Sequence, residues 1–203
     1  MANHYFRRDP RDVHFVLFEQ LGVDSSLEFE AFSQFEKADL EALISDSLAF
    51  ATDQMAPTNG EGDRVGAVWE DGQVRLPQFF HDCWKAMSEA GWTSITTSQD
   101  SGGRGLPSTM LAVVQEFFFG ANLSMALYAG MAAGNGRLIE NFGTDKDREL
   151  FVKKMNTGVW GGTMCLTEPE SGSDVGWLKT SAVPDKDSDD ERIYKIEGMK
   201  RFI

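Results

Sequence analysis

The stretch MCLTEPESGSDVG, Met164 to Gly176, gathers the groups in this chain best suited to holding a ligand. Thr167, Ser171 and Ser173 supply hydroxyl donors, and the glycines Gly172 and Gly176 let a ligand come close to the backbone. Donors of this kind suit a phosphate or another electron-rich group. Glu168, Glu170 and Asp174 in the same loop would repel one. The conflict resolves if the carboxylates point away into water and only the neutral donors face inward. Taken alone, the string also reads as a polar turn leaving a strand, with Pro169 fixing one φ and Gly172 freeing another.

Little else in the chain offers reactive chemistry at useful spacing. Cys83 and Cys165 stand far apart, with no second thiol or histidine at metal-ligand distance in sequence, which argues against a zinc site and against a disulfide scaffold. A reducing compartment follows, and Cys165 is expected to be a buried, inert thiol. With 203 residues, 41% hydrophobic and 25% charged, the chain can bury a real core as one globular domain, or one domain plus part of another. A net charge of −13 disfavours binding to nucleic acid or to an anionic membrane. The first fifteen residues carry arginines but also Asp9 and Asp12, and no apolar stretch follows. Neither a secretory signal nor a transit peptide is legible, so the expected location is cytoplasmic.

Helical periodicity positions the loop. Leu40, Leu43, Ile44, Leu48 and Ala51 recur at steps of three and four, predicting an amphipathic helix over 36–55 that Pro57 to Gly60 ends. Pro77 opens a second helix, with Phe80, Trp84 and Met87 as a core stripe and Gly91 as a left-handed cap. After the turn-rich SQDSGGRGLPS, Ser108 is expected to cap a helix apolar on nearly every side, which Gly120 breaks. Thr109 to Ala133 carries almost no charge, yet Gln115, Glu116 and Asn122 interrupt it and no Lys or Arg flanks it. Two stacked buried helices are expected, and no transmembrane segment. Helix continues from Gly134 to Phe142, and Thr144 with Asp147 forms a capping box for a last helix that runs to Met155 and closes at Gly158.

Beyond Gly158 the period changes. VWGGTMCLT, TSAV and RIYKI read as strands, with the acidic PDKDSDDE between the last two as a solvated hairpin loop. Glu197-Gly198 reads as a tight turn into a third strand, MKRFI. Its apolar end would be an unpaired edge, so a fragment of a longer protein is expected.

The order of these parts, with LTEPESGSD, GMKRFI, AGW at Ala90 to Trp92, and SGGRG at Ser101 to Gly105, resembles the acyl-CoA dehydrogenase family from about Glu36 onward. DVHFVLFEQL is similar to the extra N-terminal segment of a larger subgroup that includes the 3-methylmercaptopropionyl-CoA dehydrogenases. The resemblance implies a mostly α fold: an extension over 1–35, a helical bundle over 36–158, and over 159–203 the first strands of a truncated β-barrel-like middle domain.

It further implies FAD as cofactor and an acyl-CoA substrate, oxidised to the trans-2-enoyl thioester by α-proton removal and β-hydride transfer. In that setting Thr167 and the Leu166 backbone face the flavin, Gly172 and Ser173 approach its pyrophosphate or the pantetheine arm of the substrate, and Met164 lines the site. Phe202 stands where the family usually has a tryptophan against the flavin. Met125, Tyr128 and Ala129 would flank the acyl chain, although ordinary helix packing also accounts for them. No catalytic base is assigned, because the family's glutamate belongs to a C-terminal helical domain and none of Glu116, Glu140, Glu168 or Glu170 sits on a matching motif. An electron-transfer flavoprotein as acceptor and a homodimer or homotetramer complete the expectation. The alternatives are an acyl-CoA oxidase of the same fold and a noncatalytic helical binding module.

Overall fold

In the computed structural model, residues 6–190 and 193–202 are described, and they fall into two compact units, one ending at Gly162 and one starting at Thr163.

The first unit is helical. Helix α1 (Arg11–His14) runs on as a π-helix over Phe15–Gln20 and lays Leu17 onto the core. Helix α2 (Lys37–Phe50) starts in a capping box, the Asp39 carboxylate accepting from the Glu36 N–H at 2.7 Å, and buries Leu40, Leu43, Ile44 and Ser47. Contrary to expectation, Pro57 does not end this run. A π-turn at Ala51–Met55 leads directly into α3 (Ala56–Val65), with Pro57 in its first turn. The π-turn resets the hydrogen-bond ladder, so the proline falls where its missing N–H has no intrahelical partner to lose.

A hairpin that hydrophobic periodicity did not reveal follows, β1 (Val68–Glu70) against β2 (Gln73–Arg75). Asp71 and Gly72 both take positive φ at its tip, the backbone a two-residue hairpin turn requires. Helix α4 (Gln78–Glu89) begins after Pro77, and Gly91 behind it has φ +73°.

Helix α5 (Ser108–Ala121) passes straight through Gly120, and Ser108 lies inside its first turn and caps nothing. The break comes at Asn122, whose extended backbone separates α5 from α6 (Leu123–Phe142). Its side chain accepts from Met125 N–H at 3.2 Å and donates to Thr58 Oγ1 at 2.8 Å, so one buried amide both starts a helix and ties it to α3. Helix α2 packs on α5 and α5 on α6. Phe117 is fully buried between them, and burial of such a ring contributes about 1.5–3 kcal/mol. The rings of Phe50, Trp92 and Phe118 meet at centroid distances of 5.5–5.9 Å. Among the described residues, no helix is long and apolar enough to cross a membrane.

Gly143 ends α6, and the Thr144–Asp147 capping box opens α7 (Asp145–Asp147), which continues through a π-turn at Arg148–Val152 into α8 (Lys153–Asn156). At Gly158, with φ +71°, a Cβ would fall 1.9 Å from Ser88 Oγ, so the position excludes a side chain on both conformational and steric grounds.

The second unit holds one antiparallel pair, β3 (Ser181–Pro184) and β4 (Tyr194–Glu197), in register Ser181↔Glu197 to Pro184↔Tyr194. The acidic loop between them closes through Asp185 N–H to Ile193 carbonyl, 2.8 Å, and Lys195 Nζ lies 2.8 Å from Asp185 and 2.6 Å from Asp187. That cation offsets part of the negative charge of the turn. Two expected strands do not form among the described residues. VWGGTMCLT is neither helix nor strand, and Met199 to Phe202 is irregular, attached to the loop by Arg201 N–H to Thr167 carbonyl at 2.8 Å. That bond joins the two segments without the repeated backbone pairing a strand ladder requires. Arg192 of RIYKI and Ile203 of MKRFI lie outside the described residues.

Candidate functional site

The Met164–Gly176 loop is organised around a carboxylate that the sequence reading placed in water. Glu168 is instead folded inward, its side chain 5% exposed. It accepts from Lys179 N–H at 2.7 Å, Thr180 N–H at 3.0 Å and Lys200 Nζ at 2.9 Å. The Lys179 N–H foremost, with the Lys200 ammonium and the Thr180 N–H behind it, holds its pKa down to about 2. A buried carboxylate with three donors keeps its charge, and burial without them would be costly. The other two acids behave as expected. Glu170 is exposed and pairs with Lys179, which lowers its pKa, and exposed Asp174 accepts from Gly176 N–H at 2.9 Å.

The backbone of the loop closes on itself between Glu168 and Ser171, each donating its N–H to the other's carbonyl at 2.8 and 3.1 Å. Ser171 is buried, with its hydroxyl on the Asp174 carbonyl at 2.6 Å. These bonds leave a distinct set of groups free. Among the described residues, the Leu166 and Thr167 N–H groups, the Thr167 hydroxyl, the Gly172 N–H and both donors of Ser173 have no protein acceptor. A Cβ added at Gly172 would meet nothing within 4 Å, so that side of the loop is open. Met164 (52% exposed), Leu166 and Phe202 (80% exposed) present apolar surface in the same unit. Phe202 takes φ +61°, a region that bulky residues rarely adopt, with the Arg201 guanidinium 5.7 Å from its ring centroid. Neutral donors beside exposed apolar side chains are a fitting surface for a ring system with polar edges. Among the described residues, no acid, histidine and cysteine cluster could hold a metal.

Cys165 is exposed, in a segment that forms neither helix nor strand, which corrects the expectation of a buried thiol. Cys83 is the buried one, and desolvation raises its pKa to about 11.

The residues expected along an acyl chain lie in the helical unit. Met125 and Tyr128 line an apolar cavity of about 230 Å³ with Leu76, Phe80, His81 and Trp84. The Tyr128 and Trp84 rings meet edge-on at 4.7 Å, and Trp84 Nε1 donates to the Gly158 carbonyl at 2.9 Å, which fixes that wall. Ala129 is buried in the core and does not reach this cavity. The aromatic stripe of α4 therefore divides its work: Met87 is fully buried, whereas Phe80 and Trp84 are half-buried and form cavity wall. Sequence periodicity ranks all three as core. The pairing of Glu168 with Lys200 was likewise not legible, since thirty-two residues separate the partners.

Residues 38–159 match the family described as acyl-CoA dehydrogenase, N-terminal domain. The chain belongs to the acyl-CoA dehydrogenase family. It is 35% identical over 201 residues to the broad-specificity linear acyl-CoA dehydrogenase of Mycobacterium tuberculosis, a match covering 98% of this chain and 32% of that protein. To the 3-methylmercaptopropionyl-CoA dehydrogenase of Ruegeria pomeroyi it is 32% identical over 194 residues, 95% of this chain and 32% of that one. The chain thus spans about a third of the length of these relatives. The fold superposes on an acyl-CoA dehydrogenase from Bacillus anthracis, solved with FAD, with TM-score 0.66 and 22% identity, covering 82% of this chain and 26% of the other. This is an N-terminal helical domain followed by the first strands of the next.

Proposed function

We propose that this chain is the N-terminal part of an FAD-dependent enzyme that oxidises an acyl-CoA thioester to the trans-2-enoyl-CoA. Residues 1–35 are the extension, 36–158 the helical domain and 159–203 the start of the middle β-domain. The observation that carries the reading is the partition inside the loop, where the charge of Glu168 is consumed by internal donors while the hydroxyl of Thr167 and the neutral donors around it are left open.

FAD, when bound, supplies the hydride acceptor. The roles of this chain are to bind and orient. Thr167 Oγ1 and the Leu166 N–H are donors suited to the electron-rich edge that gains charge on reduction, and donors placed in advance stabilise that charge without reorganisation. Gly172 and Ser173 offer backbone and hydroxyl donors to a pyrophosphate or to the pantetheine arm. Met164 and Phe202 supply apolar contact. Met125 and Tyr128, through the 230 Å³ cavity, serve the acyl chain, and Ala129 supports them from the core. The proton-abstracting base lies outside this chain. The working protein is a cytoplasmic homodimer or homotetramer that passes electrons to an electron-transfer flavoprotein.

The test is purification of the full-length protein and its absorbance in the flavin bands, followed by anaerobic addition of acyl-CoA thioesters. Bleaching of bound flavin with formation of the enoyl thioester supports the reading. A full-length protein that is colourless and refuses added FAD overturns it.

A further inference from the structure

The mechanism sketched above uses Thr167 but leaves open what aims it. Leu166 and Thr167 lie in a segment without helix or strand, and an unpaired segment has no ladder to fix its peptide planes. Here the two planes that flank Thr167 are fixed, chiefly by one short stretch of chain. Lys200 Nζ donates to the Leu166 carbonyl at 3.1 Å, and Arg201 N–H donates to the Thr167 carbonyl at 2.8 Å. Because a trans peptide points its C=O and N–H in opposite directions, the hold on the Leu166 carbonyl turns the Thr167 N–H away from Lys200, to a side where it meets no protein acceptor. The next plane is fixed at both ends, its carbonyl on Arg201 and its N–H, that of Glu168, on Ser171.

Lys200 holds this position because Glu168 holds Lys200. The Lys200 side chain is 29% exposed and its ammonium sits 2.9 Å from the carboxylate of a side chain that is itself 5% exposed. That carboxylate is anchored on the Lys179 and Thr180 N–H groups at the entrance to β3. Gly198 makes the approach possible: a Cβ there would fall 2.1 Å from Thr180 Oγ1 and 2.7 Å from Thr180 Cα, so no larger residue could carry Lys200 this close. Three segments, 166–168, 179–180 and 198–201, therefore meet at one ion pair.

We propose that Glu168 and Lys200 act as a positioning pair, whose ion pair aims the Thr167 donors at the flavin and thereby sets how readily it is reduced. This rests on the proposed reading of the loop as a flavin site. Neither residue touches the reacting atoms, and both act through the peptide planes they hold. The design has the logic of a supporting shell: donors useful to a ligand must be locked by bonds that the ligand itself does not make.

The experiment uses the full-length protein with Glu168→Gln, Lys200→Met, Lys200→Arg and the double variant Glu168→Gln/Lys200→Met. Five quantities are measured: FAD affinity by titration of apoprotein, the visible spectrum and reduction potential of bound flavin, and kcat and KM for an acyl-CoA thioester. Glu168→Gln and Lys200→Met are expected to shift the flavin bands, lower the potential and reduce kcat about ten- to a hundred-fold with KM nearly unchanged, the loss expected from misplaced groups. Lys200→Arg, which restores the ion pair, is expected to recover the spectrum and most of the rate. The double variant should be no worse than the more damaged single one, because one interaction is removed twice. Variants with wild-type spectrum and potential, or losses that multiply in the double variant, overturn the inference while leaving the flavin reading intact. If Glu168→Gln does not accumulate, the contrast between Lys200→Met and Lys200→Arg decides alone: equal behaviour overturns the inference. Wild-type protein without flavin overturns the reading on which it rests.

Discussion

Thr93 Oγ1 donates to the Asn156 carbonyl at 2.6 Å, joining the loop after α4 to the end of α8 across sixty-three residues of sequence. The same asparagine accepts from the Thr97 hydroxyl through Oδ1 at 3.4 Å and donates through Nδ2 to the Ser101 carbonyl at 2.8 Å. Both Thr93 and Asn156 are buried, so this polar knot replaces apolar packing where the turn-rich connector meets the last helix.

Replacing Asn156 by Leu leaves the half-buried Ser101 carbonyl and the buried Thr97 hydroxyl without these partners. Each unsatisfied group costs about 1–3 kcal/mol, so a total loss of roughly 2–6 kcal/mol is expected. Chemical denaturation of the wild type and variant measures it. A loss below half a kcal/mol would mean that the connector does not depend on this residue.

Two glycines in the helical unit should respond oppositely to a methyl group. Gly158→Ala places a Cβ against Ser88 Oγ at a φ of +71° and is expected to destabilise by more than about 1 kcal/mol. Gly134→Ala, inside α6 with nothing within 4 Å of the new Cβ, should stabilise by about 0.5–1 kcal/mol. Thermal unfolding of both variants reads the two signs directly.

The two thiols should separate by reactivity. Cys165 is exposed, whereas Cys83 is buried with its pKa raised to about 11, so it is scarcely thiolate near neutral pH. Mass spectrometry after brief alkylation of the native protein at pH 8 should show one modification, on Cys165, and a second only in denaturant. Equal labelling of both would contradict the burial of Cys83.

Glu168 gives the second unit an acid-sensitive anchor. Its folded pKa of about 2 lies below the ordinary 4.5, so the unfolded chain binds the proton more readily and the anchor's contribution grows as pH rises. That contribution is complete above about 4.5 and fades as pH falls toward 2. The gap in melting temperature between wild type and Glu168→Gln should therefore be full at pH 6 and narrow toward pH 3. A gap independent of pH would show that charge at Glu168 does not matter.

Much of the helical unit is legible in residue pattern. The stripe Leu40, Leu43, Ile44 is buried as its spacing demands, Thr144 and Asp147 form their capping box, and Gly91, Gly143 and Gly158 stand where helices end. Local signals fail where two of them compete. Pro57 signals a stop, but a π-turn just upstream converts it into a start, and a glycine inside α5 signals a break that the capping side chain of Asn122 makes two residues later. The hairpin over 68–75 had its turn signal in Asp71-Gly72, overlooked because strands of three residues show no period.

By itself the sequence determines which residues are chemically equipped and which stretches are helical, because both follow from side-chain type and from spacing within one turn of backbone. It identifies the loop from Met164 to Gly176 and the neutral donors in it. Only the tertiary structure decides which carboxylate is consumed, which wall Trp84 forms and which thiol is shielded. Those outcomes depend on groups that come together from distant segments, as Lys200 and the Lys179 N–H do around Glu168. A carboxylate looks the same in sequence whether water or three protein donors surround it, and the difference lies wholly in what the fold brings within hydrogen-bonding distance.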